Sequence, residues 1–240
     1  YDSLFKNKLE VYGKSDLNNL QTLMYYQDAV IKELKSLKQI PSSFLKTGGL
    51  KIYTSLDLEA QNIIDSTIKK HMKDTKLETA IVVMNPKTGE ILGIAGGKDY
   101  NKSQFNRVTD SKRQVGSTMK PYLYYAALEN GFTTSTSFYS SETTFALDNN
   151  KTYSPKNYND KYGNKAISMA AATAYSDNIY AVKTHMFLGN ETLVNLARRV
   201  GITEKLEAVP SLPLGTNEIN IIIKINRING EENAIICENK

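Results

Sequence analysis

Residues 113–131 read RQVGSTMKPYLYYAALENG. Gly116 and Ser117 come first, Lys120 follows three positions after the serine, and Pro121 comes next. Proline is tolerated in a helix only near its start, because it lacks the N–H that the interior requires. The helix formers that follow run to Asn130-Gly131, a pair that stops helices in the left-handed conformation. The spacing therefore predicts a helix over about residues 117–130 with Ser117 at its N-terminus. Backbone N–H groups there lack intrahelical acceptors, and the helix dipole favours negative charge, so a developing oxyanion is stabilised and a protonated Lys120 is not. Residues three apart share a helix face. A neutral Lys120 can then accept the Ser117 hydroxyl proton, provided burial or a neighbouring cation lowers its pKa toward 7.

The tetrad Ser-x-x-Lys is not distinctive by itself. It occurs four times, at Ser3–Lys6, Ser43–Lys46, Ser66–Lys69 and Ser117–Lys120. Ser66 falls inside a helical pattern, where its hydroxyl bonds back to the preceding turn. Ser3 and Ser43 lie in stretches with little structural framework. Only Ser117 combines a preceding glycine with a proline one residue after the lysine. A second element lies 59 residues on: Ser176-Asp177-Asn178, which holds the single Ser-x-Asn of the chain, between two helical stretches. A hydroxyl there can relay a proton to a leaving amine, and an amide can grip a substrate carbonyl while holding the lysine in place.

Around these motifs the chain alternates strand and helix signals. Apolar positions at helical spacing cover 17–40, stopped by Pro41. Leu50–Thr54 reads as a strand, and Asp57 sits where a cap belongs before a helix over about 58–73. Residues 79–85 and 90–96 are two apolar strands joined by Pro86-Lys87-Thr88-Gly89, a hairpin signal. Residues 133–164, rich in Ser, Thr, Asn and Tyr, read as a long excursion with little regular structure. Helical patterning returns at about 166–175, 178–188 and 191–200, with Gly201 as a stop. Strands first and helices later give an α/β (α+β) class. The last twenty residues alternate Ile with Lys and Asn and carry no turn logic that connects them to what precedes.

Composition narrows the chemistry. The 240 residues are 40% hydrophobic and 23% charged, an ordinary globular balance. The net charge of +5 is spread along the chain with no nucleic-acid motif, so the expectation is no nucleic-acid partner. One cysteine, Cys237, and two histidines, His71 and His185, allow no internal disulfide and argue against a Cys/His zinc site. Each histidine lies in a helix-like stretch with no motif around it, which argues against a Ser-His-Asp triad. No cofactor and no metal are expected. No run of about 18 apolar residues is present.

Ser-x-x-Lys followed by Ser-Asp-Asn is a signature of penicillin-binding proteins and serine β-lactamases, a family likeness that spacing alone does not establish. The chain resembles a class A (bifunctional) penicillin-binding protein. GGLKIYTSLDLEAQ (48–61) is similar to the start of that family's transpeptidase domain, AIVVMNPKTGEILGIAGG (80–97) to its first hairpin, and residues 113–131 to its nucleophile helix. YSPKNYNDKYG (153–163), AYSDNIYAVK (174–183) and VGITEKLEAVPSLPLGTNE (200–218) follow in family order. The resemblance implies residues 1–46 as a tail after an absent glycosyltransferase domain, 47–220 as a partial transpeptidase domain and 221–240 as a divergent tail. It implies a partial serine β-lactamase/penicillin-binding transpeptidase-like fold, a sheet flanked by helices with its closing strands missing.

In function, the resemblance implies D-Ala-D-Ala transpeptidation of peptidoglycan. By that resemblance Ser117 would be the acyl-enzyme nucleophile, Lys120 its base, Ser176 the proton shuttle and Asn178 a substrate-amide contact, and the Ser117 N–H would form half of an oxyanion hole. Stem peptides ending in D-Ala-D-Ala and β-lactams are the implied ligands, with wall-synthesis proteins as further partners. The implied location is outside the cytoplasmic membrane, through an anchor upstream of Tyr1. The family's Lys-Thr-Gly follows Ser-x-Asn on a core strand. No such triplet follows Ser176, and Lys87-Thr88-Gly89 sits in the hairpin turn instead. The competing reading is therefore an inactive remnant that only binds wall peptide or protein partners. Glu191, 15 residues after Ser176, falls too soon for the deacylating glutamate of a β-lactamase and reads as a helix start.

Overall fold

The structure is a computed structural model that describes residues 21–37, 50–147, 150–220 and 236–239. The chain divides into two compact units, Tyr1–Asp110 with Asn233–Lys240, and Ser111–Glu232.

In the first unit, α1 spans Leu23–Ser36, β1 Leu50–Tyr53, α2 Leu58–His71, β2 Ile81–Met84 and β3 Ile91–Ala95. The ends of the predicted 17–40 helix, before residue 21 and after 37, lie outside the described residues. Asp57 caps α2 as its position predicts, accepting from the Glu59 and Ala60 amides. β2 and β3 pair antiparallel, Ile81 opposite Ala95 and Val82 opposite Ile94. Lys87-Thr88-Gly89 forms their exposed turn, with Gly89 at φ +77° and its N–H on the Asn85 carbonyl. The hairpin packs Ala95 against Ile64 and Ile68 of α2. Gln61 is fully buried, yet both ends of its amide are satisfied. Its nitrogen donates to Thr22 Oγ1 and the Ile94 carbonyl, and its oxygen accepts from the Ile94 N–H. A buried polar group on these terms specifies register instead of destabilising the core. Ile236–Asn239 pairs antiparallel with β1, Tyr53 opposite Ile236, so part of the tail takes strand form. Residues 221–235 lie outside the described set.

The second unit carries the motifs. After β4 (Lys112–Gln114), a 3₁₀ turn over Gly116–Met119 leads into α3 (Lys120–Glu129). The start expected for this helix holds, but its first turn is tighter than α-helical. Pro121 has no N–H to give the Ser117 carbonyl, and the Lys120 N–H takes that acceptor instead. β5 (Ser137–Ser140), β6 (Phe145–Ala146) and β7 (Thr152–Tyr153) follow, then β8 (Lys165–Ser168), α4 (Met169–Tyr175), α5 (Asn178–Leu188), α6 (Asn190–Arg199), a 3₁₀ turn at Leu212–Leu214 and β9 (Glu218–Asn220).

Two sequence expectations need correction here. The 133–164 stretch holds strand structure: β5 pairs antiparallel with β8, Phe138 opposite Ile167. Phe138 turns inward beside Tyr180, ring centroids 5.3 Å apart, while Tyr139 is 53% exposed. One inward residue among serines is too short an alternation to read from sequence. Residues 165–168 are strand, not helix, because Ser168 caps α4 by accepting from the Ala171 amide.

The core of this unit joins Met119 of the 3₁₀ turn and Leu123 and Ala127 of α3 to Tyr180 and Ala181 of α5 and Leu193 and Ala197 of α6. Arg199 clips α6 to α3 through two bonds to the Glu129 carboxylate, 2.8 and 2.9 Å. His185 is fully buried with Nε2 3.1 Å from the Val209 carbonyl, and burial lowers its pKa. His71 is exposed at the end of α2. Among the described residues every strand pairs with one other, so the β content is small two-stranded ladders beside helices. The mixed α and β class holds.

Candidate active site

Lys120 is the first residue of α3 and only 3% exposed. Its Nζ donates to the Ser176 carbonyl at 2.6 Å, to Ser176 Oγ at 2.9 Å and to Asn178 Oδ1 at 2.6 Å. The structure thus brings together three of the four residues singled out from sequence, across 56 to 58 positions. The Asn178 amide orientation follows from its other contact. Nδ2 donates to the Lys156 carbonyl at 2.6 Å, which can only accept, so the oxygen must face the lysine.

Ser117, the fourth, lies one turn ahead of Lys120 in the 3₁₀ turn and is exposed. Among the described residues its hydroxyl makes no hydrogen bond, and its N–H has no acceptor. An exposed hydroxyl and an unpaired N–H at a helix start leave both groups open to an incoming carbonyl.

Burial pushes the Lys120 ammonium down to about 8, against the opposing pull of the Asp177 carboxylate. Desolvation disfavours the charged form. About one lysine in ten is then neutral at pH 7, enough to serve as a base.

The Ser176–Asn178 loop is held against its own backbone preference. Ser176 adopts φ +54° and ψ +44°, left-handed values that cost a non-glycine residue about 1–2 kcal/mol. Glycine would sit there without strain, but glycine has no hydroxyl to offer Lys120. The flanking helices fix the conformation. The Asp177 N–H bonds back to the Ala172 carbonyl at 2.9 Å, and Asp177 Oδ1 caps α5 at the Tyr180 amide, 2.7 Å. Asp177 Oδ2 accepts from Asn157 Nδ2 at 2.7 Å and from Ser140 Oγ. Asn157 Oδ1 then receives the Asn178 N–H at 2.7 Å.

Sequence reasoning gives no role to Asn157, Asp177 or Ser140. Asn157 falls in the family-like segment 153–163, but a polar run of that kind reads as loop. Asn157→Ala strips the Asn178 amide of its acceptor and Asp177 of a donor. The expected loss is about 1–3 kcal/mol of stability, which thermal unfolding of the variant checks.

A family profile for the penicillin binding protein transpeptidase domain matches residues 79–210, more than half of the chain. The chain belongs to the penicillin-binding protein transpeptidase family. Among curated relatives, penicillin-binding protein 2D of Bacillus subtilis is 41% identical over 227 residues, 94% of this chain and 33% of that protein. Penicillin-binding protein 1A of Aquifex aeolicus is 39% identical over 145 residues, 60% of this chain and 20% of its own length. The chain therefore spans a third or less of these relatives. The solved structure of penicillin-binding protein 1A from Haemophilus influenzae matches with TM-score 0.57 at 32% identity, over 60% of this chain and 21% of that one. PonA1 of Mycobacterium tuberculosis in complex with penicillin V matches with TM-score 0.67 over 80% of this chain and 54% of that one. At 21% identity that likeness shows the fold alone. The resemblance to class A penicillin-binding proteins holds.

Proposed function

We propose that this chain carries the nucleophile half of a peptidoglycan D-Ala-D-Ala transpeptidase site. Ser117 Oγ attacks the carbonyl carbon of the penultimate D-Ala of a stem peptide, and its proton passes to neutral Lys120. The tetrahedral oxyanion forms beside the Ser117 N–H. As the C–N bond breaks, Ser176 Oγ hands a proton from Lys120 to the departing amine, and terminal D-Ala leaves. Asn178 grips a backbone amide of the stem. An amine from a neighbouring stem then attacks the ester, restoring Ser117 and closing a cross-link. A β-lactam opens on the same serine and leaves the same kind of ester.

One observation carries this reading: a buried lysine bonded at once to the hydroxyl of Ser176 and the amide oxygen of Asn178, one turn from an exposed serine. Residues 47–220 form the transpeptidase portion in this reading, 1–46 the lead-in and 221–240 a divergent tail. The working location is the outer face of the cytoplasmic membrane, with attachment through a parent protein. No helix of the described residues is long and apolar enough to cross a membrane.

The pH dependence tests the base. Acylation by penicillin requires neutral Lys120, so its second-order rate climbs about tenfold from pH 7 to 9.5 with a midpoint near 8, the lysine pKa. The same shift acts on stability with a defined sign. Unfolded, Lys120 keeps its proton up to about 10.5; folded, it releases it at about 8. Unfolding takes up a proton between those values, so this group's contribution to stability rises with pH across that window. Stopped-flow labelling from pH 6.5 to 9.5 that gives a flat profile removes Lys120 from the role.

A further inference from the structure

Gly215 lies far from the motifs in sequence but against the nucleophile's backbone in space. The Gly116 N–H donates to its carbonyl at 3.2 Å. A methyl group in place of a Gly215 hydrogen would overlap the Gly116 nitrogen, carbonyl oxygen and carbonyl carbon, the last at 2.7 Å. Backbone atoms cannot swing aside as a side chain can. The contact is one-sided, since a methyl on Gly116 would meet nothing within 4 Å.

Gly215 is anchored on both sides. It closes the Leu212–Leu214 turn through its N–H on the Leu212 carbonyl, 2.9 Å, and Leu212 is fully buried in the core. After it, β9 pairs antiparallel with β4, Ile219 opposite Arg113 and Glu218 opposite Gln114. Two aligned strands thus end in a glycine–glycine backbone contact one residue before Ser117. Gly116 itself stands at φ +58°, left-handed at the first position of the 3₁₀ turn.

We infer that Gly215 is a positioning residue for the nucleophile: its backbone clamps Gly116 and thereby sets where Ser117 Oγ and the Ser117 N–H stand relative to an incoming carbonyl. The segment Leu212–Asn220 is the splint that replaces the missing helical turn ahead of Ser117. This deepens the proposed function and rests on it.

The test compares Gly215→Ala with Gly131→Ala in the intact chain, using labelled penicillin and separating non-covalent binding (K) from acylation (k2). Gly131 also has positive φ, +86°, but a methyl there meets nothing within 4 Å. Both variants carry left-handed strain, and only the first carries the clash. The expected result is k2 reduced on the order of 10²-fold in Gly215→Ala with K unchanged, and k2 at the wild-type value in Gly131→Ala. Equal k2 in the two variants, or a loss confined to K, overturns the inference. Should Gly215→Ala not fold, amide exchange in the wild type decides: the Gly116 N–H is protected and the Ser117 N–H is not. Equal exchange at the two amides means no clamp exists. A wild type that penicillin never labels at Ser117 sinks the transpeptidase reading itself, whereas a labelled wild type with an unimpaired Gly215→Ala sinks only the clamp.

Discussion

Ser117→Ala abolishes covalent labelling by penicillin while leaving the fold untouched. The loss is on the order of 10⁶ in the chemical step, the scale seen when the nucleophile of another serine acyl-transfer enzyme is removed. Stability stays within about 0.5 kcal/mol, because an exposed hydroxyl with no hydrogen bond contributes little to folding. Non-covalent capture of the drug persists, since Lys120, Ser176 and Asn178 keep their mutual bonds. The separation of chemistry from stability is what marks the residue. At Ser66, whose hydroxyl bonds to the Ile63 carbonyl at 3.0 Å in the middle of α2, substitution leaves labelling unchanged. Intact-mass measurement and thermal unfolding on the same samples give both readouts.

Lys120→Met slows acylation by about 10²–10⁴, the usual worth of a positioned general base. Methionine retains the length and apolar body of the side chain, so the core around Met119 and Leu123 keeps its filling. The amine that bridges Ser176 and Asn178 is gone, and with it the step in the pH profile near 8. The residual rate becomes independent of pH through that range. A variant that keeps the step places the base elsewhere.

What the chain revealed before its structure divides along the range of the interactions. The start of α3 was legible because glycine, serine and proline act within a few residues on their own backbone. So were the Asp57 cap and the β2–β3 hairpin, whose turn residues sit between the strands they join. The pairing of Ser117–Lys120 with Ser176–Asn178 was legible only as a family signature, since nothing local in either segment says that they meet. The supporting shell was not legible. Asp177, Asn157 and Ser140 are bound across separations of 20 and 37 residues, and each alone resembles an ordinary cap or loop residue. Gly215 falls inside the family-like segment 200–218, and sequence reasoning gives it no role of its own. Its use lies in a backbone approach that no residue pattern encodes. The left-handed Ser176 runs against propensity, and only the flanking contacts of Asp177 and Asn178 account for it.

The four Ser-x-x-Lys tetrads offer the most direct test. The intact chain is saturated with a labelled penicillin at pH 8.5, digested, and every peptide carrying label is sequenced by mass spectrometry. A single adduct on Ser117, stable long enough to isolate, is the expected result. An adduct on Ser3, Ser43 or Ser66, or label spread over several serines, contradicts the assignment of chemistry to the start of α3.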